Sequence, residues 1–445
     1  MTRITIPEEA AHIIDTFENS GCEAFVVGGC VRDCLLGKAP VDWDICTPSL
    51  PERTIEIFKG RHIIETGLKH GTITLMLNHK PFEITTYRID GTYSDNRRPD
   101  SVEFVNDLKE DLARRDFTIN AMAYSPKCGL IDFFEGEADL QNKTIRCVGD
   151  ADKRFQEDAL RVMRALRFAS NLCFTIAKDT SDAAYRNKGL LHKISAERLA
   201  TELSKLITGA NACATLSDYA PVLVEIIPEI KDMIGFNQNT PYHFLDVWEH
   251  TLARMGEAPA DVTLRLTMLL HDVAKPGCYS EVDGTGHFYG HPQVSSDIAK
   301  KTLRRLKYDN NTIETVTQLI LYHDTGIEPE MKQVKRWLNR IGEQRLRQLV
   351  EVKKADAMAQ SEKYRRVKLD ALRDIVSLID EIIEKRQCFS LKDMAVDGKD
   401  LIASGIPEGA EIGKILNRLL DMILDEQIGN EKTALLEAAQ QITRS

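Results

Sequence analysis

The sequence predicts an α+β protein in which a sheet-containing head precedes a long helical remainder. Two observations carry this. Residues 1–150 alternate short β-branched or aromatic runs with helical stretches, and after Gly149 the apolar spacing is helical to the C-terminus. No run approaches ~18 consecutive apolar residues, so no membrane span is expected.

Within the head, Ala10–Ser20 reads as a helix and Ala24–Val27 as a short buried strand that ends in Gly28-Gly29. Val31–Leu36 then reads as a helical turn and Val41–Cys46 as a second strand. His70–Leu77 and Pro81–Tyr87 follow as strands rich in Thr and Ile. Breaks around Asn237–Tyr242 and Gln387–Lys399 divide the helical part.

At 445 residues the chain has room for about three domains. Its 58 Lys and Arg against 68 Asp and Glu give a net charge of −10, which excludes a uniformly basic coat but leaves room for a local basic groove. The ten cysteines contain no CxxC pair, and the first residues carry acids in place of an apolar signal core. A disulfide framework is therefore not expected, and a reducing cytoplasm is.

The chemistry of the head begins at Gly28-Gly29-Cys30-Val31-Arg32-Asp33, a turn between strand and helix whose glycines let the backbone approach a phosphate. Asp42 and Asp44 follow in VDWDI. On a strand they share one face, where two carboxylates repel unless a cation such as Mg²⁺ neutralises them. Trp43 and Ile45 would face the core. Glu83, on a later apolar strand, can supply a third carboxylate, the set that two-metal phosphoryl transfer uses. Two arginine-rich stretches complete the head and neck: Arg114-Arg115-Asp116-Phe117-Thr118-Ile119-Asn120, and Glu157 to Phe168. In the second, Asp158, Arg161, Arg164 and Arg167 recur every three residues as a polar helical stripe.

GGCVRD, VDWD, RRDFTINAMAY, DFFEGEADL and EDALRVMRALRFA, in this order, resemble class II tRNA nucleotidyltransferases, the CCA-adding enzymes. Bacterial poly(A) polymerases share these head motifs. The resemblance implies a polymerase-beta-like head, with tRNA, CTP and ATP as partners. It makes Asp42 and Asp44 the Mg²⁺ ligands, with Glu83 beside them. Gly28, Gly29 and Arg32 would contact the nucleotide, and Arg115, Asp158, Arg161, Arg164 and Arg167 would line its pocket. Asp158 can accept from the exocyclic amine of cytosine or adenine while Arg161 donates to the adjacent ring edge, which selects C and A without a nucleic-acid template. The segment Arg88–Phe104 resembles the family's flexible loop.

In the helical half, His250, His271-Asp272 and Asp356 form an H…HD…D series, with His243, His287, His291 and His323 nearby in sequence. RLTMLLHDVAKP resembles the HD phosphohydrolases. That resemblance makes His250, His271, Asp272 and Asp356 ligands of a divalent metal of unknown identity, with His291 and His323 as outer or second-metal groups. The domains expected are a head at 1–150, a neck at 151–236, an HD-type domain at 237–386 and a tRNA-binding tail at 387–445. The basic stretches 300–307 and 332–354 could follow RNA phosphates or be solvated helix faces. Rival readings are an A-adding enzyme of a split C-adding and A-adding pair, a poly(A) polymerase, an HD phosphohydrolase whose head senses nucleotide or RNA, and a noncatalytic tRNA-binding chaperone.

Overall fold

A computed structural model describes residues 4–91, 101–239, 245–358 and 362–444. The chain divides into two compact units, Met1–Pro228 and Glu229–Ser445.

The first unit opens with helix α1 (Glu8–Asn19), which buries Ala10, Ile13, Ile14 and Phe17 at helical spacing. Strand β1 (Phe25–Val27), helix α2 (Gly29–Leu35), strand β2 (Asp44–Thr47) and helix α3 (Pro51–Ile57) follow. Next come β3 (His62–Ile64), β4 (Thr72–Leu77), β5 (Lys80–Thr86), β6 (Arg88–Asp90), β7 (Val102–Phe104), α4 (Leu108–Ala113), β8 (Met122–Ser125) and β9 (Gly129–Asp132). Seven of these strands form one sheet in the order β3-β4-β5-β2-β1-β8-β9. Only the β2–β5 pair is parallel among its ladders. Strand β1 lies near the middle with all three residues buried, as its unbroken apolar run requires. Below the sheet, Phe25, Val27, Cys46, Tyr87, Leu112 and Ala123 share one core.

The unit continues with α5 (Gly136–Gln141), β10 (Thr144–Ile145), α6 (Ala151–Glu157), α7 (Leu160–Leu172), β11 (Thr175–Ile176), α8 (Lys178–Asn187), α9 (Ala196–Ile207), α10 (Ala212–Asp218) and α11 (Ala220–Ile226). Helix α9 presents Leu199, Leu203 and Leu206 inward and packs against α7.

Two expectations need correction. Strand β2 begins at Asp44, so Asp42 lies before it with its side exposed, and Trp43 is half-buried rather than core. The ladder ends there because β1 turns away after Val27, and the residue two before Glu83 on the parallel neighbour is Pro81, which has no N–H. The polar stripe is also not one helix. Helix α6 stops at Glu157, Asp158 is extended (φ −133°, ψ 103°), and its carboxylate caps α7 by accepting from Leu160 N at 3.1 Å.

The second unit contains α12 (Val247–Glu257), α13 (Val262–Leu270), the hairpin β12 (Ser280–Val282) and β13 (Thr285–His287), α14 (His291–Arg305), α15 (Asn310–Tyr322), α16 (Met331–Ile341), α17 (Glu343–Met358) and α18 (Glu362–Glu384). Helices α19 (Gly398–Ala403), α20 (Ala410–Leu424) and α21 (Lys432–Arg444) end the chain around their own core of Leu401, Ile415, Leu419, Leu424 and Leu435. No helix among the described residues is long and apolar enough to cross a membrane.

Candidate functional site

Gly28 joins β1 to α2 at φ 82°, ψ −127°, a backbone state that residues with a Cβ avoid. A Cβ there would also lie 2.8 Å from Nη1 of Arg115, and one on Gly29 would meet Nη2 of Arg32 at 3.7 Å. The Gly-Gly turn thus rests on two guanidinium groups. Arg115 is half-buried, and its desolvation alone would depress its pKa, yet the carboxylates of Asp111, Asp44 and Asp116 raise it. Asp111, fully buried on α4, anchors this corner: its Oδ1 accepts from Arg114 Nε at 2.9 Å and Nη2 at 2.8 Å, and its Oδ2 is 3.6 Å from Arg115 Nη2.

Across the parallel ladder, Asp44 is the register partner of Glu83, so the two carboxylates start from adjacent points of one sheet face. Burial, together with the nearby charges of Asp42 and Glu83, pushes the Asp44 carboxyl up to about 6 against the pull of Arg115. Asp44 and Glu83 offer the oxygen ligands that a hard divalent cation takes, with exposed Asp42 just ahead of the strand; the three are not among the groups of described residues whose ligand atoms already converge.

The arginines of the stripe each hold a partner. Arg161 donates from Nη1 to Glu157 Oε2 at 2.7 Å and from Nη2 to the Arg114 carbonyl at 3.0 Å, joining the neck to the RRDF segment. Arg164 donates to Asp116 Oδ2 from Nε at 2.8 Å and Nη2 at 2.6 Å. Burial alone would raise the Asp116 carboxyl, but Arg164, Asn120 and Arg161 hold it down at about 2. Arg167 Nε lies 2.9 Å from Glu202 Oε2, and Asp158 Oδ2 pairs with Arg198 Nη2 at 2.9 Å. Arg32 donates to Asp33, and from Nη1 to Asn120 Oδ1 at 2.6 Å. Asp111, Asn120, Arg198 and Glu202 were not among the expected site residues. The i, i+3 spacing of Asp111 to Arg114 was the available signal for the first; the others depend on contacts distant in sequence.

In the second unit, helix ends deliver a buried cluster. His250 comes from α12, His271 caps α13 with Asp272 beside it, His291 opens α14 and His323 caps α15. Asp272 Oδ2 lies 3.2 Å from His271 Nε2 and 3.7 Å from His250 Nε2. Its Oδ1 lies 3.3 Å from His291 Nε2 and 3.8 Å from His323 Nε2. Nδ1 of His271, His291 and His323 each sits 2.6–2.8 Å from a carbonyl oxygen three residues earlier. A carbonyl only accepts, so Nδ1 carries the proton and each Nε2 turns a lone pair toward Asp272 when neutral. Burial drives His250 down to about 2 and His323 to about 4, so both are neutral. Within the cluster, His250, His271 and Asp272 form one triad of potential cation ligands, and Asp272, His291 and His323 a second. Lys275 Nζ is 2.7 Å from Asp272 Oδ2, and Asp356 lines the same cavity of about 420 Å³. His287 lines it as well, whereas His243 lies outside the described residues.

The segment Arg88–Phe104 begins and ends in the β6–β7 ladder, and its residues 92–100 lie outside the described ones. In the stretch 332–354 much of the charge is paired within the chain, Lys332 and Arg336 to Asp425, Arg345 to Glu314 and Arg347 to Asp380, and in 300–307 Arg305 pairs with Glu229.

Residues 24–146 match the family described as the Poly A polymerase head domain. Residues 173–220 match a probable RNA and SrmB-binding site of polymerase A, and 291–439 a putative tRNA nucleotidyltransferase domain 2. The CCA-adding enzyme of Pediococcus pentosaceus is 34% identical over 442 residues, 98% of both chains. That of Levilactobacillus brevis is 34% identical over 97% of this chain and 98% of its own. Among solved structures, the Bacillus stearothermophilus CCA-adding enzyme in complex with CTP aligns over 99% of this chain and 98% of its own, at TM-score 0.71 and 28% identity. The Thermotoga maritima CCA-adding enzyme complexed with tRNA shares the fold, at TM-score 0.61 and 22% identity over 98% of this chain and 96% of its own.

Proposed function

This chain belongs to the CCA-adding enzymes, and from that premise we propose which of its residues perform the reaction. It adds C, C and A to the 3′ end of tRNA from CTP and ATP, without a nucleic-acid template, and releases pyrophosphate. The tRNA 3′-oxygen forms a bond to the α-phosphorus, the bond from that phosphorus to the β-phosphate bridging oxygen breaks, and the hydroxyl proton is lost. A divalent metal serves the reaction. Magnesium is our assignment, at Asp42, Asp44 and Glu83, where it would increase the acidity of the hydroxyl and neutralise charge on the phosphates. The observation that carries this reading is the pairing of Asp44 with Glu83 beside the Gly-Gly turn.

Gly28 and Gly29 keep the turn free of side chains so that the nucleotide can approach, and Arg32, Arg115, Arg164 and Arg167 supply positive charge for its phosphates and pocket. Asp158 and Arg161 read the base. A carboxylate accepts from the amine of cytosine or adenine and opposes the carbonyl oxygen of uracil or guanine. Their present partners, Arg198 and Glu157, hold both groups in place until a base competes for them. The head at 1–150, neck at 151–236 and tail at 387–445 are assigned on the same reading. A cytoplasmic setting accords with ten free cysteines.

A second reading concerns the other unit, 237–386, where His250, His271, Asp272 and Asp356 would hold one divalent ion in an HD-type hydrolytic site and His291 and His323 a second. It is favoured by Asp272, a fully buried carboxylate on which the Nε2 atoms of His250, His271, His291 and His323 converge.

The test uses the full chain with tRNAs lacking CCA, CA or A and each labelled nucleotide separately. Addition of C, then C, then A with arrest supports the reading. Addition of A alone, or continued A tracts, would identify an A-adding enzyme or a poly(A) polymerase.

A further inference from the structure

Phe168 lies on α7, only 8% exposed, with its ring edge-on to Phe117 at 5.7 Å between centroids. Three guanidinium carbons surround this ring: Arg167 at 4.1 Å, Arg32 at 5.1 Å and Arg164 at 5.4 Å. Arg32 belongs to α2 behind the Gly-Gly turn, while the other two belong to α7. Like charges converge stably only where something opposes their repulsion. Acids do so piecemeal: Asp33 holds Arg32, Asp116 holds Arg164, and Glu202 holds Arg167 and stands 4.0 Å from Arg164. Arg167 registers the strain: burial first, then Arg164 and Arg32, press its pKa down against Glu202. The electron-rich ring face attracts cations, and the Phe168 ring is within reach of all three.

We propose that Phe168 is a positioning residue for nucleotide binding, its ring gathering Arg32, Arg164 and Arg167 into one cluster that receives the polyanionic nucleoside triphosphate. The inference rests on the reading that these arginines bind the nucleotide. A polar relay runs alongside the ring, Arg32 to Asn120, Asn120 Nδ2 to Asp116 Oδ1 at 3.1 Å, and Asp116 to Arg164, so α2 and α7 are tied twice. Without the ring the relay and Glu202 remain, but the three guanidinium groups lose the one surface that all of them approach, and an incoming triphosphate has to reassemble the cluster. Nucleotide affinity falls, whereas the step at Asp42, Asp44 and Glu83 is untouched.

The experiment compares Phe168→Leu, which keeps apolar filling and loses the ring, with Phe168→Tyr, which restores it. Phe168→Met substitutes for the leucine variant if thermal melting shows that it does not fold. Kd for CTP, KM and kcat for CTP and ATP on truncated tRNA, and Kd for tRNA are measured on the full chain. Leucine raises Kd and KM for both nucleotides by about 5- to 30-fold, the scale of one to two cation–π contacts. It leaves kcat and tRNA affinity within about 3-fold, and tyrosine restores nucleotide affinity. Nucleotide affinity unchanged by leucine, or reduced equally by leucine and tyrosine, would overturn the proposal. Arg164→Gln separates the two levels: normal CTP affinity in that variant rejects the arginines as nucleotide ligands, whatever Phe168 does.

Discussion

Replacing Asp158 by asparagine isolates base reading from helix capping. Alanine at this position would delete the α7 cap, worth ~1 kcal/mol, whereas the carboxylate partner of Arg198 is lost with alanine and asparagine alike. Asp158→Asn keeps an acceptor for Leu160 N and nearly the same shape. What changes is the other oxygen, which becomes an N–H donor. The amine of cytosine or adenine then faces a donor and loses its partner, while the carbonyl of uracil or guanine gains one. One base-edge pairing is worth ~1–3 kcal/mol, so discrimination between CTP and UTP should shift by about 5- to 150-fold toward UTP. The assay is single-turnover incorporation of each nucleotide on tRNA ending before the first C, with folding checked by thermal melting. If all four nucleotides slow by one common factor, Asp158 acts only as a cap and the base-reading argument fails.

Gly28→Ala should destabilise the first unit by roughly 1–3 kcal/mol from backbone strain, and more if the half-buried Arg115 has to move from the added Cβ; wild-type urea stability would contradict this. Asp116→Asn tests an ionic linkage. The carboxyl is held at about 2, below its ordinary 3.8, so its stabilisation is complete above about pH 4 and lost as pH falls through 2. The variant should lose ~2–3 kcal/mol at pH 7 and show less acid dependence between pH 4 and 2. Equal urea midpoints for both proteins at pH 7 would rule out that linkage. His271→Ala with Asp272→Ala should abolish retention of divalent metal by the second unit, read by elemental analysis after dialysis, and leave C and A addition within about 2-fold. Coupled loss of addition would mean that the two sites communicate.

The α+β order and the Gly-Gly turn between a buried strand and a helix were legible because each sits in a short pattern with strong local meaning, whereas the strand expected to carry both Asp42 and Asp44 begins only at Asp44. Strand register was not legible. That Asp44 pairs with Glu83 follows from a parallel crossover, which periodicity does not encode. The every-third spacing of Asp158, Arg161, Arg164 and Arg167 suggested one helix because the residues at the junction are tolerable helix formers. The break arises from Asp158 itself, whose side chain prefers to cap α7. Compensating acids were the least visible, since Asp116 meets Arg164 across 48 residues. The second cluster was readable as residue types, but the inward lone pairs depend on carbonyls at helix ends. Either basic stretch alone reads more readily as a solvated helix face than as an RNA track, and in 332–354 the fold pairs Arg336, Arg345 and Arg347 with acids far away in sequence.

The central claim is that the carboxylates beside the Gly-Gly turn carry out nucleotidyl transfer. Its most direct measurement is single-turnover addition of C and of A by Asp42→Asn and Asp44→Asn, alongside tRNA affinity of the same proteins. The account predicts loss of both additions by at least about 10³-fold, with tRNA affinity within a few-fold of the parent. Normal addition by either variant, or selective loss of only one nucleotide, would contradict it.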